Sequence, residues 1–229
     1  MNWRFKSAAL QLLERLPLSD ALYYLLQRKV TRSLPRSVSR IHRAITNNRR
    51  HIDAFRSRGI DLGEGVLVSF GAGWDLCENL IFYSHGVNRQ IALDVEPLAR
   101  IDLINGLAAY LDANPLEGFA RRPFPPLERN ARADLLQRYG IDYRAPADAR
   151  AVPMPQGSVD MIATTNTLEH IPRDSLVAIM KECRRLVTDS GAVSMKIDYS
   201  DHFAHSDPSI TIYNFFEHGL KVLAPPQRS

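Results

Sequence analysis

Asp148–Pro172, DARAVPMPQGSVDMIATTNTLEHIP, is the stretch whose reading decides the fold. Asp148 is an acidic residue placed just past the end of a strand, and Pro155-Gln156-Gly157 then makes a turn. Met161–Thr165 predicts a buried strand, and Asn166 gives that strand a polar mouth. Leu168-Glu169-His170 follows, just ahead of a helix in which Leu176, Ile179, Met180 and Cys183 recur at helical spacing. A strand whose carboxyl end opens into polar residues is where open α/β sheets bind ligands.

Working outward, strands and helices alternate, which is the signature of a parallel sheet. Strands are expected at 66–70, 90–94 and 141–144, with helices at 75–84, 100–111 and 128–139 and a proline- and arginine-rich loop at 113–127. In the helix at 100–111, Ile101, Ile104, Ala108 and Leu111 share one face. After the helix beyond Pro172, Gly191 opens a fifth strand at 192–199. There Val193, Met195 and Ile197 alternate with Ser194, Lys196 and Asp198. Interior parallel strands are usually apolar on both faces, so the alternation predicts an edge position or a less-covered face. One more helix is expected at 208–219.

The first strand ends in Ser69-Phe70-Gly71-Ala72-Gly73-Trp74-Asp75. Glycines there let the backbone turn sharply and approach a ligand, and a following helix offers unpaired N–H groups. Asp94 ends the second strand about 20 residues later, where a carboxylate can accept both hydroxyls of a ribose. That spacing serves a nicotinamide dinucleotide equally well. The order D-A-x-x-V-P, S-V-D, N-x-L-E-H from Asp148 onward has no counterpart in nicotinamide-binding domains.

Over about residues 60–200 this order resembles a class I S-adenosylmethionine-dependent methyltransferase of the small-molecule type. The resemblance implies an α/β, Rossmann-like, doubly wound and mostly parallel sheet, here short of the family's last two strands. It implies S-adenosylmethionine as cofactor and a small-molecule acceptor. Ser69, Gly71 and Gly73 would cradle the methionine part, Asp94 the ribose, and Asp148 with Ala149 the adenine, while Asn166 would stand over the methyl-transfer site. Ser69 replaces the family's acidic residue and Asp75 its third glycine. A hydroxyl brings no charge, so a non-catalytic, binding or interaction relative is an alternative, and nicotinamide-dependent oxidoreduction is a further one.

His170 can take a proton from a hydroxyl or amine being methylated, since its pKa lies near neutral. It can equally join Glu169 in capping and orienting the next helix. Past the fifth strand, Asp198, Tyr199, Asp201, His202, His205 and Asp207 cluster; Tyr199, His202 and His205 are candidate substrate contacts. Clustered Asp and His can hold a divalent metal, but the spacing matches no recognised ligand set, and none is assigned. Tyr199, Phe203, Tyr213, Phe215 and Phe216 are candidates for an acceptor pocket or for helix packing on the sheet.

Residues 1–60 are read as a basic helical extension and 61–229 as the catalytic-type domain. Residues 1–60 hold 13 Lys+Arg against 3 Asp+Glu (+10) and the remainder 16 against 22 (−6), which sum to the net +4 of the chain. Helices are expected at 3–16, at 20–32 with Asp20 as N-cap, and at 38–58. In the last, Ile41, Ile45, Ile52 and Phe55 share a face, and Gly59 stands at the C-cap. Such asymmetry suits docking on an acidic domain or contact with an anionic surface. No nucleic-acid recognition motif accompanies the charge. No apolar run nears the roughly 20 residues that span a bilayer, residues 1–16 carry no cleavable secretory pattern, and two cysteines give no disulfide framework. A cytoplasmic location is therefore expected, with Cys183 a buried structural thiol. The oligomeric state is left open.

Overall fold

The computed structural model describes Tyr24 and residues 26–30, 33–124, 127, 131–200, 204 and 209–213. Residues 35–167 and 172–196 form one compact unit. Its strands are β1 (Val66–Phe70), β2 (Arg89–Leu93), β3 (Ile141–Arg144), β4 (Val159–Thr165) and β5 (Val187–Lys196). All pair in parallel, in the order β3-β2-β1-β4-β5. The sheet thus runs outward one way from β1 to β3 and the other way from β4 to β5. The crevice between the carboxyl ends of β1 and β4 is its topological switch point. This is the expected doubly wound α/β fold, and no strand follows β5 among the described residues.

Among the described residues, five helices belong to this unit: α1 (Val38–Ser57), α2 (Cys77–Ser84), α3 (Ile101–Ala113), α4 (Ala131–Tyr139) and α5 (Arg173–Leu186). The expected apolar face of α1 is buried, and Gly59 follows its end with φ 73°. Ile52 and Phe55 are fully enclosed with Leu67, Phe82 and Met161, each burial being worth roughly 1.5–3 kcal/mol. The helix packs on β4, β5 and α2, in the same unit as the sheet. Ile104, Ala108 and Leu111 of α3 join Leu80, Leu135, Tyr139 and Ile141 in the largest core cluster.

Some local expectations shift for visible reasons. Helix α2 starts at Cys77 rather than Asp75, because the Asp75 carboxylate accepts the Cys77 N–H (3.3 Å) and Leu76 turns left-handed. β5 starts at Val187, straight out of α5. Its pairing jumps from Val159↔Val187 to Met161↔Ala192, so Gly191 lies inside this irregularity instead of opening the strand. β5 occupies the sheet edge, as its alternation implies, with Val193 exposed. Met180, expected on the buried face of α5, is exposed; the covered face is Ile179, Glu182, Cys183 and Leu186. Glu182 takes the inward place because its Oε1 accepts the Val152 N–H (2.8 Å) and an Arg185 N–H (2.6 Å).

Residues 1–34, 168–171 and 197–229 cluster as a second unit. Of its described residues, Leu26–Val30 make a π-helical turn and Leu168–His170 a 3-10 turn. The helix expected at 3–16, Asp20 as a cap and most of 20–32 lie outside the described residues. Where a helix was expected at 208–219, residues 209–213 form turns with Ile212 and Tyr213 exposed; 208 and 214–219 lie outside. No helix among the described residues is long and apolar enough to cross a membrane.

Candidate functional site

The glycine turn after β1 is held against β2. Gly71 and Ala72 donate N–H bonds to the Leu93 carbonyl (3.0 and 3.3 Å). Gly73 N–H donates to Oδ2 of Asp94 (2.9 Å), and Glu96 N–H to its Oδ1 (3.3 Å). The Asp94 main chain accepts from Ala147 N–H (2.8 Å) and donates to Arg144 (3.1 Å), which brings the segment before Asp148 alongside. Gly73, Asp94 and the residues leading to Asp148 and Ala149 therefore form one continuous edge of the crevice. Burial pushes the Asp94 carboxyl above the usual range, opposed by the N–H groups of Gly73, Glu96 and Val95.

Two details show a cradle beside this turn. Gly71 and Gly73 have φ of 80° and 69°. A Cβ at Gly71 would collide with the Thr167 side chain, so the loop after β4 closes directly over the turn. A Cβ at Gly73 would meet nothing within 4 Å, leaving its backbone open to close approach.

Asp148 is exposed and clasped by Arg150, whose Nε and NH2 groups lie 2.8–3.0 Å from its carboxylate. That bond holds the Asp148 pKa below the ordinary carboxylate value. Asn166 adopts φ 53° at the end of β4, with its Oδ1 accepting from Lys196 Nζ (2.7 Å) and its N–H donating to the Lys196 carbonyl (2.8 Å). Ser69 is turned inward. It is 3% exposed, and its Oγ accepts from Asn79 Nδ2 (2.9 Å), which also donates to Gln90 Oε1 (3.1 Å). Its hydroxyl thus anchors α2 to β1 and β2.

Of the residues on the second unit, His170 ends the 3-10 turn and is half-buried. Glu169 does not cap α5, whose N-cap is Pro172; its Oε1 accepts the Asp198 N–H (3.4 Å). Tyr199 is 75% exposed, and His202 and His205 lie outside the described residues.

A further polar cluster at the β4–β5 mouth was not singled out from sequence. His51 of α1 is 3% exposed; its Nδ1 lies 2.7 Å from Ser194 Oγ and its Nε2 3.0 Å from Thr165 Oγ1. Burial, then Lys196, lowers its pKa to about 4. Arg36 Nε donates to Asp75 Oδ2 (2.6 Å). Burial works against the Arg36 charge, but Cys77, Asp75 and Glu78 raise its pKa overall. The signal was present: Asn48 and His51 fall among the apolar positions of α1, and both are buried.

A concavity of about 810 Å³ lies elsewhere among the described residues. Gln156, Gly157, Lys181, Arg184, Arg185, Val187, Thr188 and Asp189 line it, around the amino ends of β4 and β5. It contains none of the crevice residues.

Residues 126–195 match the family described as a methyltransferase domain. That segment is methyltransferase-like. It spans α4, β3, β4, α5 and nearly all of β5. No curated protein matches the sequence. Among solved structures, the YcgJ protein of Bacillus subtilis is similar at 15% identity and a TM-score of 0.45, over 77% of this chain and 57% of that one. An S-adenosylmethionine-dependent methyltransferase of Mesorhizobium loti is similar at 17% identity and 0.39, over 64% and 52%. A geranyl diphosphate C-methyltransferase of Streptomyces coelicolor, solved with S-adenosylhomocysteine, is similar at 12% and 0.44, over 71% and 51%. The chain spans just over half the length of each of these three.

Proposed function

We propose that the crevice binds S-adenosylmethionine and that the chain transfers its methyl group to a small-molecule acceptor. The observation that carries this reading is the convergence of the open glycine turn and Asp94 at the switch point, with the Asp148 segment bonded alongside. The residues fit the cofactor in kind. Gly71 and Gly73 free the backbone for the methionine part, and Asp94 keeps acceptor capacity for the ribose hydroxyls beyond its two N–H bonds. Asp148 and Ala149 face the adenine, and Asn166 borders the transfer position. When bound, the cofactor supplies an electrophilic methyl on a sulfonium. The protein's part is to hold acceptor and methyl in line, an effect of proximity and orientation. His170 takes the acceptor's proton where the nucleophile is a hydroxyl or amine. Tyr199, His202 and His205 are the acceptor-side residues in this reading.

Calorimetric titration tests it. Micromolar binding of S-adenosylmethionine and S-adenosylhomocysteine, weakened at least about tenfold by Asp94→Ala through loss of a charged acceptor, is the expected result. Absent or millimolar binding by the unaltered protein refutes it. A non-catalytic binding protein is a second reading, favoured by Ser69 being uncharged and turned inward. It predicts micromolar binding without methyl transfer to any acceptor presented with labelled cofactor. The basic amino-terminal segment meets an anionic surface in this account, which salt-dependent co-sedimentation with anionic vesicles checks.

A further inference from the structure

Helix α5 buries Ile179, Glu182, Cys183 and Leu186 and turns its other side outward. With 3.6 residues per turn, Arg173, Val177, Met180, Lys181 and Arg184 fall within about 100° of one another on that side. All five are exposed, Val177 at 48% and Met180 at 38%. Together with Leu176 they line a shallow groove of about 500 Å³. Lys181 and Arg184 also border the concavity at the amino ends of β4 and β5, so the two hollows share a cationic wall. The fold does not use these charges. Arg173 and Lys181 have no acidic partner among the described residues. Arg184 reaches only Asp189, 3.9 Å away with both side chains in solvent, a pair of little strength. Arg185, by contrast, is committed to Glu182 and to the Val152 and Met154 carbonyls. Asp174, in the first turn, is the only exposed acid of the helix. Residues 61–229 hold 16 Lys+Arg against 22 Asp+Glu, so three available cations around an apolar strip are a local concentration within an acidic region.

We propose that this face of α5 docks on an anionic lipid surface. Val177 and Met180 enter the boundary between headgroups and acyl chains, and Arg173, Lys181 and Arg184 meet lipid phosphates and carboxylates. The role is independent of the cofactor reading, because no crevice residue takes part. Charge selects this occupant. A second copy packed α5 against α5 would set Arg173 opposite Arg184 in an antiparallel pair, and each cation opposite itself in a parallel one. A stable protein partner needs roughly 800 Å² a side around a well-packed apolar centre. Here two exposed apolar side chains and part of Leu176 are all that the strip offers. A lipid surface needs no matching shape: a small apolar wedge gives depth, and each cation near the headgroups adds its own attraction. Residues 1–60, with 13 Lys+Arg against 3 Asp+Glu, suit the same kind of surface.

The test is co-sedimentation of the full chain with phosphatidylcholine vesicles, with and without about 30% phosphatidylserine. Binding is expected only to the anionic vesicles, and it falls steeply as salt shortens the screening length. Lys181→Ala combined with Arg184→Ala weakens it roughly thirtyfold, at about fivefold per cation removed. Both side chains are exposed and the buried face of α5 is untouched, so an unchanged urea midpoint is expected for the variant. An environment-sensitive dye on Val177→Cys locates the contact, since Cys77 and Cys183 are buried and leave the new thiol as the reactive one. Its emission shifts to the blue with anionic vesicles. No binding to them overturns the proposal. Binding that survives the double variant at full strength also overturns it and assigns the contact to the amino-terminal segment. A dye that responds to poly-glutamate and not to vesicles overturns it in favour of an acidic protein partner.

Discussion

Glu78→Gln is expected to reshape the pH dependence of stability, not merely its level. In the folded protein the Glu78 carboxyl is raised from 4.5 to about 7, chiefly by burial. Between those values the folded state holds a proton that the unfolded state has lost, so stability falls as pH rises through the window. At about 1.4 kcal/mol per unit the full effect is about 3 kcal/mol, trimmed to roughly 2 by partial exposure. His51 acts oppositely. Its pKa is lowered from 6.5 to about 4, chiefly by burial, so the unfolded state takes up the proton first. Its contribution is lost as pH falls from about 6.5 to 4, by a similar roughly 3 kcal/mol. The two slopes largely cancel in the unaltered protein between pH 4.5 and 6.5. Glutamine does not titrate, so the variant exposes the His51 slope. Urea unfolding at half-unit steps from pH 4.5 to 8 reads this directly. Stability of the variant relative to the parent is expected to grow by about 2 kcal/mol across the range. A difference that is the same at pH 5 and pH 8 refutes the reasoning, whatever its size.

Gly71→Ala places a Cβ at φ 80° and against Thr167, so it is expected to cost about 1–3 kcal/mol in urea unfolding and to weaken S-adenosylhomocysteine binding. Arg185→Ala removes donors to Glu182 and to the Val152 and Met154 carbonyls and leaves Glu182 without its ion pair. A loss of about 2 kcal/mol is expected in urea unfolding, with faster hydrogen exchange at the Val152 amide.

The sheet was legible because its signals are local and repeated. Strand signals at 66–70, 90–94, 141–144 and 161–165, separated by amphipathic helices, leave little choice but a parallel sheet, and Gly71, Gly73 and Asp94 fall at strand ends by counting alone. The edge position of β5 could be read from its alternation. What could not be read depends on groups meeting across the fold. Ser69 was expected to face a ligand, yet a strand residue's direction depends on what lies behind it, and Asn79 with Gln90 draws the hydroxyl inward. Met180 fits the helical period, but Glu182 holds the inward place through Arg185 and the 152–154 backbone. His51 sits among the apolar positions of α1 but belongs to no motif. Only the packing of α1 on the β4 and β5 ends encloses it between Ser194 and Thr165.

The central claim is the position of the ligand, and amide chemical-shift mapping with S-adenosylhomocysteine tests it most directly. The account predicts shifts at Gly71, Gly73, Glu96, Ala149 and Asn166, with Gln156, Gly157 and Thr188 around the separate concavity at the amino ends of β4 and β5 unmoved. Shifts confined to that concavity, or none at millimolar ligand, contradict it.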